Sequence, residues 1–212
     1  MSTPERKNRR CSVYLMRHGD SRQDSVRRFI GQSDHPLNDT GRAQSEWWRR
    51  ELSRIPFSHI CCSDLKRSME TAQIIGQRLS VPLTILPGLR EIDLGSWDGM
   101  PVSEVQQLYP QEYDVRGKDL AGFRPPGGES FIDLSDRVTP ILNKLIQHSE
   151  GNLLIIGHAG VNRVILCQLL GIPLANIFRL EQGYGCLNIL EYFGGCRVVS
   201  QMNIQTEAIS YF

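Results

Sequence analysis

Short apolar runs alternate with helix-like segments along most of this chain. Runs typical of β-strands occupy residues 11–16, 59–62, 83–86, 152–157, 186–192 and 197–202. Between most of them, apolar residues recur at helical spacing. This alternation predicts an α/β fold with three layers, α/β/α, in which helices cover both faces of a largely parallel central sheet.

The helix starts are predicted from capping residues. Thr40 is a candidate N-cap for a helix over 40–55, and Ser63 is a candidate cap for the helix that follows the second strand. Ser130 and Asp133 have the spacing of a capping box, which predicts that another helix begins there. Each of these helices is therefore expected to have a defined first turn.

One long segment lacks this periodicity. Residues 110–129 contain several prolines and glycines and show neither a helical nor a strand period, which predicts a loop. Long loops in compact domains often cover a functional site, so we expect a lid here. We expect residues 11–212 to form one domain and residues 1–10 to form a mobile basic tail.

The charge of the chain is nearly balanced. Its 212 residues include 24 lysines and arginines and 23 aspartates and glutamates. A chain without a strong net charge has no general field that attracts nucleic acid or an acidic membrane surface. We therefore expect neither partner, and any anion-binding site must be local.

Cysteine and apolar patterns bear on the cellular compartment. The six cysteines lack the spacing of a zinc site or of a disulfide-rich secreted protein. The apolar runs are too short to span a bilayer, and the first residues lack the apolar core of a signal peptide. These features predict a cytoplasmic protein whose cysteines are mostly buried thiols.

Polar residues follow three of the predicted strands. Arg17 and His18 come directly after the first strand. Ser63 and then Arg67 follow the second, and His158 follows the fourth. Ligand sites in parallel α/β sheets form at the carboxyl ends of the strands. We therefore expect these residues to share one anion-binding site.

Taken singly, each of these signals has an ordinary structural explanation. A lone histidine at a strand end is more often structural or solvent-facing, and Glu91 alone would be a solvated loop carboxylate. Gly19 and Gly31 are explained equally well by turn geometry and by close approach of the backbone to a phosphate. Trp97 is better explained as a packed aromatic than as a pocket wall. The coincidence of three polar strand ends is what favours a site.

From residue 15 to about residue 192, the chain resembles the phosphoglycerate-mutase-like branch of the histidine phosphatase superfamily. The resemblance depends on the order and separation of six short motifs, several of which are modest alone. They are LMRHGDS (15–21), GQSDHPLNDTGRAQ (31–44), CSDLKRSMETA (62–72), LREIDLGSWDG (89–99), PPGGES (125–130) and IIGHAGVNR (155–163).

The resemblance implies a phosphatase that works through a phosphohistidine. It implies that His18 is the nucleophile, Glu91 the proton donor and His158 the second histidine, with Arg17 and Arg67 as phosphate-binding cations. Guanidinium groups bind phosphate oxygens in pairs, and a neutral imidazole is a nucleophile near neutral pH. Glu91 would have to start the reaction protonated, and a cationic His158 would offset phosphate charge. The resemblance implies no cofactor and no metal ion.

The chain departs from the family pattern near the nucleophile. Many relatives carry Glu and Thr where this chain has Asp20 and Ser21, and Asn where it has Asp24. An extra negative charge at Asp24 would weaken phosphate binding or select a substrate with a positive group. We nevertheless include Asp24 among the expected substrate-binding residues, which are Arg17, Asp24, Gly31, Ser63, Arg67 and Ala159.

The substrate is expected to be a small phosphorylated metabolite. Gly160 and the PPGGES loop stand where phosphoglycerate mutases of the family carry an Asn and a long basic insertion, which favours a phosphatase. The loop and the segment 181–188 are similar to α-ribazole-phosphate phosphatases of cobalamin biosynthesis, and broad-specificity phosphatases share much of this pattern. We therefore take α-ribazole 5′-phosphate as the first substrate to test. A phosphoglycerate mutase and a non-catalytic phospholigand-binding protein are the alternatives, and a homodimer is left open.

Overall fold

A single six-stranded sheet forms the centre of the computed structural model, which describes residues 11–149, 151–193 and 196–206. The strands in chain order are β1 (Cys11–Arg17), β2 (Phe57–Cys62), β3 (Leu83–Ile85), β4 (Asn152–Gly157), β5 (Leu187–Phe193) and β6 (Cys196–Ile204). Across the sheet they follow the order β3-β2-β4-β1-β5-β6. The basic tail predicted for residues 1–10 lies outside the described residues.

The first four strands are parallel, and the last two are antiparallel. β1 and β2 both pair in parallel with β4, and β3 pairs in parallel with β2. β5 pairs antiparallel with both β1 and β6. This arrangement confirms the predicted largely parallel sheet. It also puts the carboxyl ends of β2, β4 and β1 side by side.

Six α-helices lie along the described chain. They are α1 (Asp39–Glu51), α2 (Lys66–Gly76), α3 (Val102–Leu108), α4 (Pro110–Lys118), α5 (Phe131–His148) and α6 (Ala159–Leu170). No helix among the described residues is long and apolar enough to cross a membrane.

Successive side chains of the strands supply two separate apolar cores. Leu15 packs in a core with residues of α5 and α6, such as Leu134 and Val164. Met16, the next residue, packs in a second core with Trp48 of α1 and Ile75 of α2. Neighbouring residues of a strand face opposite sides of a sheet, so the helix pairs cover opposite faces. The predicted three-layer α/β/α architecture is therefore confirmed.

The predicted helix starts are only partly correct. α1 begins at Asp39, because the side chain of Asn38 accepts a hydrogen bond from Gly41 N at 2.9 Å and acts as the N-cap. The predicted cap at Thr40 is therefore wrong. The predicted end at residue 55 is also wrong, because the chain tightens into a 3₁₀ turn after Glu51. The capping box of Ser130 and Asp133 is confirmed.

The loop predicted for residues 110–129 is partly helical. Its first half forms α4, none of whose residues is buried. A helix without a buried stripe has no apolar period, which explains why the sequence pattern missed it. The second half is irregular and leads into α5. Movement of this segment as a lid stays a prediction.

Candidate active site

Three neighbouring strand ends bring the candidate residues together. His18 follows β1, Ser63 follows β2 and His158 follows β4. The ring centroids of His18 and His158 are 5.1 Å apart. The strand order therefore juxtaposes residues that are far apart in the sequence, as expected for parallel sheets.

His18 is buried and has one nitrogen available for bond formation. Its Nδ1 lies 2.7 Å from the carbonyl oxygen of Gly19, which can only accept, so we assign the ring proton to Nδ1. The lone pair is then on Nε2, where Arg67 Nε donates at 3.2 Å. Burial, followed by the charges of Arg67, His158 and Arg17, lowers the pKa of His18 well below 6.5. The imidazole is therefore neutral at neutral pH.

Arg67 is a fully buried cation held by backbone carbonyls. Its Nη1 donates to Ser33 O at 2.7 Å, and its Nη2 donates to Gly31 O at 2.6 Å. A guanidinium has five N–H donors, so donors are left for a phosphate after these bonds and the one to His18. The side chain is therefore fixed in place beside the nucleophile before substrate binds.

The loop that holds Arg67 is itself fixed by Asp98. The backbone N–H groups of residues 31, 32 and 33 each donate to the Asp98 carboxylate at 2.8 Å. Gly31 packs so closely that an added Cβ would lie 2.5 Å from Ile92 O. Its carbonyl holds Arg67, and Gly31 itself does not line the cavity beside His18.

Arg17 stacks on an aromatic ring. Its guanidinium carbon lies 3.6 Å from the ring centroid of Tyr184, and its Nη1 donates to Gln182 O at 2.7 Å. The same tyrosine ring lies 5.7 Å from the His18 ring. A guanidinium stacked on an aromatic face keeps its N–H edge free to bind an anion.

Glu91 is the only carboxylate that lines the cavity within the described parts of the chain. Its carboxylate accepts hydrogen bonds from Gly160 N at 3.0 and 3.1 Å and from Ile92 N at 3.0 Å. Gly160 lies in the first turn of α6, where backbone N–H groups lack partners within the helix. A Cβ at position 160 would lie 2.5 Å from Glu91 Oε1, so glycine permits this close approach.

His158 and Ser63 form a buried pair behind the cavity. Ser63 Oγ lies 2.7 Å from His158 Nε2, and both residues are completely buried. His158 Nδ1 has no hydrogen-bond partner among the described residues. Burial and then the charges of Arg67, Arg17 and Arg137 lower the pKa of His158 well below 6.5. These effects favour a neutral imidazole, and a cationic His158 beside a bound phosphate stays a prediction.

Ser63 has a different position from the one predicted. The N-cap of α2 is Leu65, and no side chain caps this helix. Ser63 Oγ accepts only a long bond, 3.4 Å, from Leu65 N, so its predicted capping role is wrong. Ser63 does not line the cavity either, and it can act on a substrate only through His158.

A cavity of about 450 Å³ opens above His18. Ala159, at the first position of α6, lines it, and substrate binding by this residue stays a prediction. Aromatic rings and cations form much of the wall, and the cations are Arg17, Arg27, Arg28, Arg67, Arg116 and Arg163. With so many guanidinium groups and one carboxylate, the cavity is suited to an anion.

Asp24 and Asp20 are not brought to His18. Asp24 is exposed in an adjoining cavity, where its carboxylate pairs with Arg28 at 2.9 Å. Asp20 is buried, and its carboxylate binds the backbone and side chain of Arg22. Burial raises the pKa of Asp20, but the hydrogen bonds from Arg22 outweigh it and lower the pKa overall. Both carboxylates are therefore neutralised by nearby arginines.

Several residues of the site were not found from the sequence. Asp98 lies in the motif at 89–99 and Tyr184 in the segment 181–188, but neither was singled out as a site residue, and Arg116 lies in the segment predicted as a loop. Arg163 had one: it follows Ala159 by four residues on α6, so the two share a helix face.

Comparison with known proteins agrees with this geometry. The model of the histidine phosphatase superfamily (branch 1) matches residues 13–205. The chain belongs to this superfamily. The match includes every strand-end residue described above, and several relatives of this histidine phosphatase are named phosphatases, which is consistent with a phosphoric monoester hydrolase.

Relatives of this histidine phosphatase have different names. It is 30% identical to the adenosylcobalamin/α-ribazole phosphatase of Salmonella typhimurium, over 89% of this chain and 95% of that one. It is 33% identical to a probable phosphoglycerate mutase of Salmonella choleraesuis, over 76% of this chain and 75% of that one. The structure of a mycobacterial glucosyl-3-phosphoglycerate phosphatase matches with a TM-score of 0.83 and 25% identity, over 93% of this chain and 100% of that one.

Proposed function

We propose that this histidine phosphatase hydrolyses small phosphomonoesters through a phosphohistidine on Nε2 of His18. The observation that supports this most directly is the buried, neutral imidazole whose Nε2 lone pair faces Arg67 at 3.2 Å. An imidazole in this state can attack phosphorus, and the guanidinium beside it can bind the phosphoryl oxygens.

In the first step, the substrate phosphate lies between the cations and His18. Nε2 of His18 forms a bond to phosphorus while the bond from phosphorus to the substrate oxygen breaks. Arg17 and Arg67 stabilise the charge on the phosphoryl oxygens, and Nδ1 of His158 is the nitrogen left to bind one of them. Protonated Glu91 gives its proton to the departing oxygen.

In the second step, Glu91 acts as a base. It takes a proton from a water molecule, whose oxygen attacks phosphorus as the bond to Nε2 breaks. Inorganic phosphate leaves, His18 becomes neutral again and Glu91 is again protonated. The hydrogen bonds from Gly160 N and Ile92 N hold the carboxylate in place for both transfers. The side chains in this cycle need no metal ion.

The relatives support two chemical classes of substrate. One is the α-ribazole 5′-phosphate that the sequence pattern favours, a nucleoside phosphate whose base would contact aromatic rings of the cavity such as Phe29, Tyr113 and Phe178. The other is a phosphomonoester that also carries a carboxylate, as in glucosyl-3-phosphoglycerate. The cavity also contains arginines other than Arg17 and Arg67, and their positive charge favours this second class of substrate.

Two other functions stay as alternatives to hydrolysis. A phosphoglycerate mutase would transfer the phosphoryl group back to a substrate hydroxyl instead of to water. The relative with that name supports it, whereas the direct contact of Gly160 with Glu91 favours a phosphatase active site without the Asn of mutases. A non-catalytic phospholigand-binding protein would keep the arginines without needing both His18 and Glu91.

We place the reaction in the cytoplasm. The described cysteines are all free, and five of the six are buried. Burial raises the pKa of the thiols of Cys61 and Cys186 to about 11, which keeps them protonated and unreactive. Free thiols of this kind are typical of proteins in a reducing compartment.

Phosphate release from a panel of phosphomonoesters tests the proposal. We expect release of phosphate from α-ribazole 5′-phosphate or a phosphorylated acid, unchanged after exhaustive chelation and without priming by a bisphosphoglycerate. A requirement for priming, with transfer between hydroxyls, would identify a mutase. Loss of activity on chelation that a divalent metal restores would contradict the mechanism.

A further inference from the structure

Part of the cavity wall consists of arginines that the two reaction steps do not use. We call Arg27, Arg116 and Arg163 the distal arginines; all three line the cavity together with His18. Among the described residues, none of them forms an ion pair with a carboxylate, whereas Arg28 in the same cavity pairs with Asp24 at 2.9 Å. The distal arginines therefore bring positive charge that no directly paired carboxylate among the described residues neutralises.

Two of the distal arginines lie against one aromatic ring. The guanidinium carbons of Arg163 and Arg116 are 5.3 and 5.7 Å from the ring centroid of Phe178. Arg116 also lies 5.3 Å from the Phe29 centroid. Arg163 Nε donates to Leu180 O at 2.8 Å, which leaves its two terminal nitrogens for a ligand. The rings and this bond hold the cations in place.

The electrostatics of these arginines favour an anionic ligand. Burial lowers the pKa of Arg116, Tyr113 partly offsets this effect, and the charge of Arg27 lowers the pKa as well. Burial and then the charge of Arg17 lower the pKa of Arg163, while Glu91 raises it only in part. Guanidinium groups stay charged in proteins, so these cations remain partly desolvated and repel one another. An anion bound between them would relieve both costs.

We propose that the distal arginines bind a second anionic group of the substrate, a carboxylate or a further phosphate, while the reacting phosphate lies at His18. This inference rests on the proposed function and narrows its substrate class. Guanidinium groups bind both anions through paired N–H donors. α-Ribazole 5′-phosphate has no anion besides its phosphate, so it should be a poorer substrate than a phosphorylated acid.

Two probes that differ in one group separate the distal site from the phosphate site. 3-Phosphoglycerate has a carboxylate where glycerol 1-phosphate has a hydroxymethyl group, and both carry the same phosphomonoester. We expect the wild-type kcat/KM to favour 3-phosphoglycerate about ten-fold to a hundred-fold, the scale of one charge-assisted hydrogen bond. The Arg116→Gln variant should lose most of this preference, so its kcat/KM should fall much further on 3-phosphoglycerate than on glycerol 1-phosphate.

Matched variants separate a specific contact from general charge. Lys118→Gln removes a positive charge from the same helix, at an exposed residue that does not line the cavity. It should leave the preference unchanged, and Arg116→Lys should restore part of it. Thermal unfolding of each variant checks that the fold is intact. Equal loss on both probes in Arg116→Gln, or a stronger effect of Lys118→Gln, would overturn the proposal.

Binding to a variant without the nucleophile separates this proposal from the proposed function. With His18→Ala, calorimetry should show tighter binding of 3-phosphoglycerate than of glycerol 1-phosphate, and Arg116→Gln should remove the difference. If that difference holds while the wild type releases no phosphate from any substrate, the distal site stands and the hydrolytic function fails. If phosphate is released but neither probe is preferred, the hydrolysis stands and the distal site fails.

Discussion

The floor and the rim of the cavity are built differently. The floor comprises Arg17, His18, Arg67 and Glu91, with His158 buried behind it, and a protein group fixes each of these side chains. At the rim, Arg116 and Arg163 rest on aromatic rings, and none of the three distal arginines has a carboxylate partner among the described residues. A floor arranged before substrate binds suits chemistry that many substrates share. A rim with uncompensated charge suits recognition of one class of substrate.

The largest loss of activity is expected when a residue of the floor is replaced. His18→Ala should reduce phosphate release by at least about a thousand-fold on every substrate, because no other described side chain offers a neutral imidazole to the cavity. His148→Ala, at an exposed histidine bonded only to Lys144 O, is the matched control and should retain full activity. Substantial turnover by His18→Ala would show that the floor does not supply the nucleophile.

Removal of the proton donor should have a smaller effect that depends on the substrate. Glu91→Gln should cost roughly two to four powers of ten with an alkyl phosphate, the scale of general acid catalysis. An activated aryl phosphate has a leaving group that needs little protonation, so rapid-quench kinetics should show much less impairment of its first step. Equal losses on both substrates, or no loss on either, would move the acid role to another residue.

A single methyl group should disturb the floor without removing any catalytic atom. Gly160→Ala places a Cβ 2.5 Å from Glu91 Oε1, so the carboxylate must shift. We expect a loss of about ten-fold to a hundred-fold in kcat with an alkyl phosphate, since displaced acid groups transfer protons poorly. Gly117→Ala on α4, where an added Cβ meets nothing within 4 Å, is the control. Equal activity of the two variants would contradict the close contact.

The two buried histidines make the floor sensitive to acid. His18 and His158 have pKa values well below 6.5 in the folded protein, whereas the unfolded chain has ordinary values. The unfolded state then binds more protons at low pH. The free energy of unfolding is therefore unaffected by these histidines above about pH 6.5 and decreases as the pH falls below that value. Each histidine contributes a slope of at most about 1.4 kcal/mol per pH unit. Urea unfolding at a series of pH values should show that the free energy of unfolding depends less steeply on pH in His18→Phe than in the wild type. An unchanged dependence on pH would contradict this origin.

The sequence predicted the floor better than the rim for a physical reason. Strand periods placed His18 and His158 at the ends of two strands, local motifs carry the family resemblance around them, and the fold makes those strands neighbours. Asp98 holds a loop more than sixty residues away, and such a contact exists only once the chain has folded. Arg116 lies on a helix with no buried stripe, so no apolar period marked it.

The charge predicted near the phosphate illustrates the same limit. Asp24 was expected to act on the substrate, but its carboxylate turns to Arg28, four residues further along the chain, and lies in the adjoining cavity. The identity of a side chain was visible in the sequence, whereas the direction it takes depends on partners that the fold supplies.

The covalent intermediate is the most direct test of the account. The Glu91→Gln variant should be mixed rapidly with an aryl phosphate, quenched in alkaline denaturant, which preserves the phosphoramidate, and mapped by mass spectrometry. The proposed mechanism predicts one phosphoryl group per chain, located on His18 and absent from a His18→Ala variant treated in the same way. A phosphoryl group on any other residue, or none while an aryl phosphate is turned over, would contradict it.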